Sequence, residues 1–195
     1  MPKRLFLVRH CESTGQEAPA PLTPVGQAQA VLLADHLATV GVDLLVASPY
    51  TRAQQSIAPL AQRLGLAVET EARLAERVLS AAPLAHWRAA LRQTFVDLDL
   101  VWPSGESSRM AMARGRAVIE ALLARPERAV VVVTHGNLMT LLLRSFAPQF
   151  GFQTWEGLSN PDVYGIAVHE ERVEISRTWV PSLTAPGRSG DDHPV

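Results

Sequence analysis

Short apolar runs alternate with amphipathic stretches along most of the chain. Runs at 4–8, 43–48 and 128–136 end abruptly at polar residues, and the last of them contains four consecutive valines. Such short, almost wholly apolar runs are typical of buried strands. A shorter strand is predicted at 66–71, and two more are predicted within 162–180, around a Glu-Glu-Arg turn. The first of these two is expected to lie at the edge of the sheet.

Apolar residues at helical spacing predict helices between these strands. Thr23 and Pro24 are predicted as the N-cap and first residue of the first helix, and Gly41 as its C-terminal cap. The second helix is expected to end at Gly65, and Pro59 should kink or interrupt it. Three further helices are predicted at 83–95, 106–124 and 137–147, and residues 96–105 are predicted as a loop.

The alternation of strands and helices predicts an α/β fold, a three-layer sandwich whose mostly parallel central sheet is covered by helices on both faces. Residues 1–180 are predicted as a single domain. Residues 181–195 are polar and rich in proline and glycine, and we expect a disordered C-terminal tail there. Ligands of such sheets bind beyond the carboxyl ends of the strands.

Composition narrows the classes of function that the fold could serve. The chain has 195 residues, of which 47% are hydrophobic and 19% charged, and its formal net charge is −1. This composition indicates a globular protein without the basic patch of a nucleic-acid binder. No apolar run approaches a membrane span or a signal-peptide core, and there is one cysteine. A cytoplasmic location is therefore expected, with no nucleic-acid or membrane partner, and a homodimer is left open.

The residues directly after the three best strands carry most of the candidate chemistry. Arg9 and His10 follow the first strand, Arg52 lies shortly after the second, and His135 and Gly136 follow the third. Arginine forks bind phosphate oxygens, and the free N–H groups of a helix that begins at Gly136 and Asn137 would also favour an anion. A phosphoryl group is the expected ligand. The neutral imidazole of His10 can attack phosphorus, and His135 would then be a catalytic donor to the phosphoryl oxygens as charge develops on them. Zinc is not expected, because the two histidines have no third ligand at a recognisable spacing.

Five motifs occur in the order that they have in a known family. They are LVRHCES, SPYTRAQQS, RLAERVL, PSGESSRMAMAR and VVVVTHGNLM. Together they resemble the histidine phosphatase superfamily, which has the phosphoglycerate mutase-like fold. The resemblance implies a phosphohistidine on His10, phosphate binding by Arg9, Arg52, His135 and Gly136, and Glu76 as general acid and base. It implies hydrolysis of small phosphorylated metabolites without a metal ion or another cofactor.

Several assignments remain open at this stage. Glu69, Glu71 and Glu106 are rivals of Glu76, and Glu106 and Ser107, like Asn137, are either substrate contacts or first-turn residues of a helix. The alternatives to a phosphatase are a phosphoglycerate-type mutase and an inactive phosphate-binding module. Hydrolysis is favoured over the mutase reaction because the segment after Glu76 lacks the tyrosine of the mutases. Three arginines could bind a second anionic group or simply lie on the surface; they are Arg77, Arg88 and Arg92.

Cys11 occupies a position where the family usually has glycine. Cysteine-based phosphatases have an arginine six residues after the thiol, but that position is Glu17 here, so Cys11 is not expected to be the nucleophile. A thiol beside two arginines could have a depressed pKa. We therefore also consider the hypothesis that oxidation of Cys11 blocks the pocket.

Overall fold

The computed structural model describes residues 3–169 and 172–179. Strands β1 to β6 cover, in chain order, Lys3–Arg9, Leu44–Ala47, Val68–Thr70, Ala129–Thr134, Asp162–Val168 and Val173–Arg177. Helices α1 to α6 cover Pro24–Ala38, Thr51–Leu64, Trp87–Val96, Ser108–Leu123, Gly136–Phe146 and Phe152–Glu156. A single turn of 3-10 helix covers Ala72–Leu74.

The strands of the described residues form one sheet in the order β3-β2-β4-β1-β5-β6. The first four strands in this order are parallel to their neighbours, and β5 and β6 are antiparallel additions. The prediction of a mostly parallel α/β fold is therefore confirmed. The expectation that the strand at 162 lies at the edge is wrong, because β5 pairs with β1 on one side and with β6 on the other.

The apolar strands are buried on both faces of the sheet. Leu5 and Leu7 of β1 pack on one face, whereas Phe6 and Val8 pack on the other. Helices α1 and α2 cover the face of Phe6, and α3 to α6 contribute to the core on the opposite face. Because successive side chains of a strand alternate between faces, a strand buried on both sides is a continuous apolar run.

Helix ends follow the predicted signals in part. The side chain of Thr23 accepts a hydrogen bond from the N–H of Gly26 at 2.9 Å, and Pro24 is the first residue of α1, as predicted. Helix α1 ends at Ala38 with Thr39 as its C-cap, so the prediction of Gly41 as the cap is wrong; Gly41 lies two residues further on, with a left-handed φ of 68°. Helix α2 ends at Gly65 as expected, but Pro59 lies within it without interrupting it.

Some segments were not predicted, or lie outside the described residues. Helix α6 and the 3-10 turn were not anticipated, because both are too short for a periodic pattern. The two strands at the C-terminal end are confirmed, but two residues of the predicted Glu-Glu-Arg turn and the tail at 181–195 lie outside the described residues. None of the helices in the described ranges has the length and apolar character needed to cross a membrane.

Candidate active site

The carboxyl ends of the parallel strands bring the two predicted histidines together. Arg9, the last residue of β1, pairs in register with Thr134, the last residue of β4. The N–H of His10 donates to the carbonyl oxygen of Thr134 at 3.1 Å, which continues the pairing past the ends of both strands. The ring centroids of His10 and His135 lie 5.1 Å apart.

The hydrogen bonds of His10 define the protonation of its ring. Nδ1 lies 2.7 Å from the carbonyl oxygen of Cys11, which can only accept, and Nε2 lies 3.2 Å from Nε of Arg52, which can only donate. The proton is therefore on Nδ1, and Nε2 carries the lone pair. Burial and then the charges of Arg9 and Arg52 hold the pKa of His10 well below its ordinary value of 6.5. The ring is neutral at pH 7.

Arg52 is buried at the start of α2 and binds the loop that follows β1. Its Nη1 donates to the carbonyl oxygens of Gln16 and Glu17 at 3.0 and 2.9 Å. Its guanidinium carbon lies 4.8 Å from the ring centroid of Tyr50, a cation–π distance. These contacts fix the guanidinium beside Nε2 of His10.

Arg9 is held on the opposite side of β1. Its Nη1 donates to the carbonyl oxygens of Leu158 and Ser159 at 3.3 and 3.4 Å. A Cβ atom at Gly136 would lie 3.2 Å from Nε of Arg9, so glycine leaves room for the guanidinium. Gly136 thus has a packing role at this site in addition to its predicted contact with phosphate, which remains a prediction.

His135 is fully buried and is the N-cap residue of α5. Its Nε2 lies 2.7 Å from the hydroxyl of Ser48, and its ring also meets that of Tyr50 at a centroid distance of 4.8 Å. Burial and then the neighbouring His10 hold the pKa of His135 well below 6.5, with smaller contributions from nearby arginines. This ring is neutral at pH 7 as well.

Glu76 lies against the N-terminus of α5. Oε1 accepts the N–H groups of Arg77 and Leu138 at 2.8 and 3.0 Å, and Oε2 accepts that of Asn137 at 3.0 Å. The N–H groups at the start of this helix, at Gly136 and Asn137, were expected to be free for an anion, but the Glu76 carboxylate already binds that of Asn137, together with that of Leu138. Of the N–H groups in this first turn, that of Gly136 is the one still predicted to bind phosphate.

A neighbouring loop holds the segment that carries Glu76. The N–H of Glu106 donates to the carbonyl oxygen of Val78 at 2.8 Å. A Cβ atom at Gly105 would lie only 2.1 Å from the carbonyl oxygen of Leu79, so no other residue fits this crossing without a shift. The close approach of the two backbones therefore fixes the course of the chain just after Glu76.

The rivals of Glu76 are all bound in ion pairs. Glu69, Glu71 and Glu106 pair with Arg125, Arg73 and Arg114, in that order. Both oxygens of Glu106 accept from Arg114, and the Ser107 side chain caps α4 by accepting the N–H of Met110 at 3.1 Å. The geometry therefore gives Glu106 and Ser107 structural roles, whereas the buried amide of Asn137 has no hydrogen-bond partner among residues 3–169 and 172–179.

Two residues around the start of β5 support the site and were missed in the sequence: Asn160 holds His10, and Asp162 holds Ser159, whose carbonyl oxygen accepts from Arg9. The side-chain amide of Asn160 donates to the carbonyl oxygen of His10 at 2.9 Å. Asp162 is fully buried, pairs with Arg177 and accepts the N–H of Ser159 at 2.9 Å. Because β5 is antiparallel to β1, the residues before β5 lie at the same sheet edge as the residues after β1. The local pattern of residues does not give the direction of a strand, so the sequence carried no signal that could have found them.

The cysteine does not face the site. Its side chain is fully buried in the core beneath α1 and α2, and its N–H donates to the hydroxyl of Ser56 at 2.8 Å. Burial raises the pKa of the Cys11 thiol to about 12. The hypothesis of a reactive, low-pKa thiol is wrong, because the side chain points into apolar surroundings instead of towards the arginines.

Acidification below pH 6.5 is expected to destabilise the protein through its two buried histidines. The folded state keeps both rings neutral, whereas the unfolded chain binds protons at the ordinary value of 6.5. The free energy of unfolding should therefore fall by about 1.4 kcal/mol per pH unit for each histidine, from pH 6.5 down to its pKa in the folded state. Urea unfolding between pH 7.5 and 5 measures this slope. The His10→Asn variant should have a shallower slope, and equal slopes would contradict the expectation.

The arrangement of site and fold defines a class. A three-layer α/β protein that gathers two neutral histidines, two arginines and a carboxylate beyond its parallel strands has the architecture of the phosphoglycerate mutase-like proteins. The model of the histidine phosphatase superfamily (branch 1) matches residues 5–180, and the chain belongs to this family. Among the described residues, no group of three or more His, Cys, Asp or Glu side chains is placed to hold a metal ion.

Relatives include named phosphatases and a named mutase. A glucosyl-3-phosphoglycerate phosphatase of Mycobacterium tuberculosis is 29% identical over 169 residues, which cover 72% of this chain and 73% of the relative. A probable phosphoglycerate mutase of Yersinia enterocolitica is 30% identical over 158 residues, with coverages of 72% and 73%. The solved mycobacterial glucosyl-3-phosphoglycerate phosphatase in complex with VO3 superposes with a TM-score of 0.75 at 26% identity, covering 90% of this chain and 98% of that one. The predicted family, fold and enzyme class, a hydrolase of the histidine phosphatase type, are confirmed.

Proposed function

We propose that the protein is a phosphatase that hydrolyses small phosphomonoesters through a phosphohistidine on His10. Glu76 serves as general acid and then as general base, and the reaction uses no metal ion or other cofactor. The observation that carries the proposal is the protonation of His10. Its Nδ1–H donates to the carbonyl oxygen of Cys11, so the lone pair is on Nε2, where it accepts a hydrogen bond from Nε of Arg52 and can exchange that donor for phosphorus.

In the first step, the lone pair on Nε2 of His10 attacks phosphorus. A P–N bond forms, the P–O bond to the alcohol breaks, and the leaving oxygen takes a proton from the Glu76 carboxyl group. Oε2 of Glu76 accepts only one backbone N–H, whereas Oε1 accepts two, so Oε2 is the better placed oxygen to carry that proton. The guanidinium groups of Arg9 and Arg52 balance the charge of the phosphoryl oxygens, and His135 donates a hydrogen bond to one of these oxygens.

In the second step, the Glu76 carboxylate takes a proton from water. The resulting hydroxide attacks phosphorus, the P–N bond breaks, and inorganic phosphate leaves. His10 returns to its neutral form and Glu76 to its protonated form, so the cycle is complete without a redox partner. Fixed positive charges already surround the phosphoryl group, and this is why the proposed route needs no metal ion.

The surroundings of the site favour substrates with a single phosphoryl group as their main charge. Arg77 is fully buried and donates to Thr94, Ser108 and a backbone carbonyl. Arg88 pairs with Glu156, and Arg92 stacks on Phe152 at 4.6 Å. The three arginines considered for a second anionic group therefore have other partners. This supports hydrolysis of simple monoesters over the mutase reaction, which must hold a second acid group.

The test is phosphate release from a panel of phosphomonoesters, with EDTA present and no bisphosphorylated primer. The panel should include phosphoserine, sugar phosphates, 3-phosphoglycerate and p-nitrophenyl phosphate. We expect phosphate release from several esters and the same rates with and without EDTA. Interconversion of phosphoglycerates that requires a primer would instead identify a mutase. Binding of phosphate without turnover of any ester would identify an inactive module.

A further inference from the structure

The position of the proton on the His135 ring does not follow from two contacts, as it does for His10. His135 is neutral, so only one of its ring nitrogens carries a proton. In the proposed mechanism it can donate a hydrogen bond to a phosphoryl oxygen only through the nitrogen that holds that proton. Nε2 contacts the hydroxyl of Ser48 at 2.7 Å, and Nδ1 has no hydrogen-bond partner among the described residues.

The hydroxyl of Ser48 is fully buried, and its contacts indicate where its own proton lies. Its oxygen accepts the N–H of Tyr50 at 3.3 Å, and a backbone N–H cannot accept in return. Within residues 3–169 and 172–179, Nε2 of His135 is the one contact of this hydroxyl that can act as an acceptor. If Nε2 carried the ring proton, the buried hydroxyl would have no acceptor there, and unsatisfied buried groups destabilise the folded state.

We propose that Ser48 is a positioning residue that holds His135 in the tautomer with its proton on Nδ1. This inference rests on the proposed function, because the tautomer matters for the reaction only through the hydrogen bond that Nδ1–H donates to the phosphoryl group. In the other tautomer, Nδ1 would present a lone pair to phosphoryl oxygens and repel them. Ser48 thereby allows His135 to act as a donor while it stays neutral.

The two site histidines then have the same tautomer and opposite uses. In His10, the Cys11 carbonyl oxygen accepts Nδ1–H, and the lone pair on Nε2, to which Nε of Arg52 donates, is the proposed nucleophile. In His135, Nε2 contacts Ser48, and Nδ1–H has no hydrogen-bond acceptor among the described residues. The contact of the second ring is a single side-chain hydroxyl, so one substitution at Ser48 can test its tautomer.

Two-bond ¹H–¹⁵N correlation spectra of histidine-labelled wild-type protein measure the tautomer directly. A His135→Gln variant identifies the signals of His135. We expect the pattern of a neutral ring with its proton on Nδ1 at pH 7.5, both in the free protein and with inorganic phosphate. A ring protonated on Nε2 in wild-type protein would overturn the inference, and this measurement needs no substitution at position 48.

Variants at position 48 test the consequence. In Ser48→Ala, the signals of His135 should shift towards the Nε2–H form. The Kd for inorganic phosphate should rise by about 10- to 100-fold, and kcat should fall by a factor in the same range. Ser48→Thr keeps the hydroxyl and should recover the tautomer and most of the activity. Thr140→Val removes another buried hydroxyl, one that bonds within α5, and should leave the tautomer unchanged.

The outcomes separate this inference from the proposed function. An active phosphatase in which Ser48→Ala changes neither the tautomer nor the affinity for phosphate would overturn the role of Ser48 alone. Wild-type protein that releases no phosphate from any ester would overturn the proposed function, while the tautomer in wild-type protein would still decide what Ser48 does to the ring.

Discussion

Replacing His10 with alanine is expected to abolish turnover and the covalent phosphoenzyme together. The imidazole is the proposed nucleophile, and the lone pair of the neighbouring His135 ring is assigned to the contact of Nε2 with the Ser48 hydroxyl. A loss of about 10⁴-fold or more in kcat is expected, the size seen when a catalytic nucleophile is removed. The phosphoenzyme is measured by brief mixing with a labelled ester and quenching in alkali, in which a P–N bond survives.

The His10→Ala variant should still bind inorganic phosphate, because Arg9, Arg52 and His135 remain. His86→Ala is the matched control, since His86 is an exposed histidine at the start of α3. It should keep both turnover and label. Substantial turnover by His10→Ala, or a label that stays on the protein without His10, would exclude the proposed nucleophile.

The sequence predicted which residues meet where they follow parallel strands, and their roles stay predictions. Arg9, His10 and His135 directly follow short apolar runs, and the carboxyl ends of parallel strands share one edge of the sheet. The same reasoning could not find Asn160, which supports His10 from a strand that runs in the opposite direction. Strand direction is a property of the whole sheet, and the local pattern of residues does not contain it.

Partners of charged side chains were the other part that the sequence left open. Arg77 could have been a surface residue or a ligand for a second anion, yet it is a buried link between the Glu76 segment and helices α3 and α4. The orientation of Cys11 was equally unpredictable. His10 lies in the site, whereas the side chain of the next residue, Cys11, lies in the core. Pairings between distant segments depend on tertiary packing, and sequence spacing carries little information about them.

The motif around Arg52 contains residues whose structural roles depend on tertiary contacts. Gln55 accepts the N–H of Leu22 at 2.8 Å, and Ser56 accepts that of Cys11. Both residues lie on α2, so this helix holds the two ends of the loop that follows β1. The motif therefore contains the proposed phosphate ligand Arg52 and also shapes the backbone around His10, the proposed nucleophile.

Glu76→Gln is expected to slow esters with poor leaving groups far more than activated aryl esters. An alkoxide must take a proton as it leaves, whereas p-nitrophenolate leaves without one, so only the alkyl ester depends on the acid. We expect kcat/KM for phosphoserine to fall by about 10²- to 10⁴-fold and that for p-nitrophenyl phosphate by less than about 10-fold. The ratio of the two losses is the diagnostic, because any displacement of Arg77 or Leu138 by the glutamine amide would affect both substrates alike.

The choice of kcat/KM matters, because Glu76 has a role in each half of the reaction. This constant covers the steps up to departure of the alcohol, whereas kcat also includes attack of water on the phosphoenzyme. Glu76→Gln should therefore also produce a burst of p-nitrophenolate equal to the enzyme concentration, followed by slow turnover. Glu106→Gln disturbs the pair with Arg114 and is the control, with equal losses expected for both esters. Equal losses in Glu76→Gln, without a burst, would assign the acid to another group.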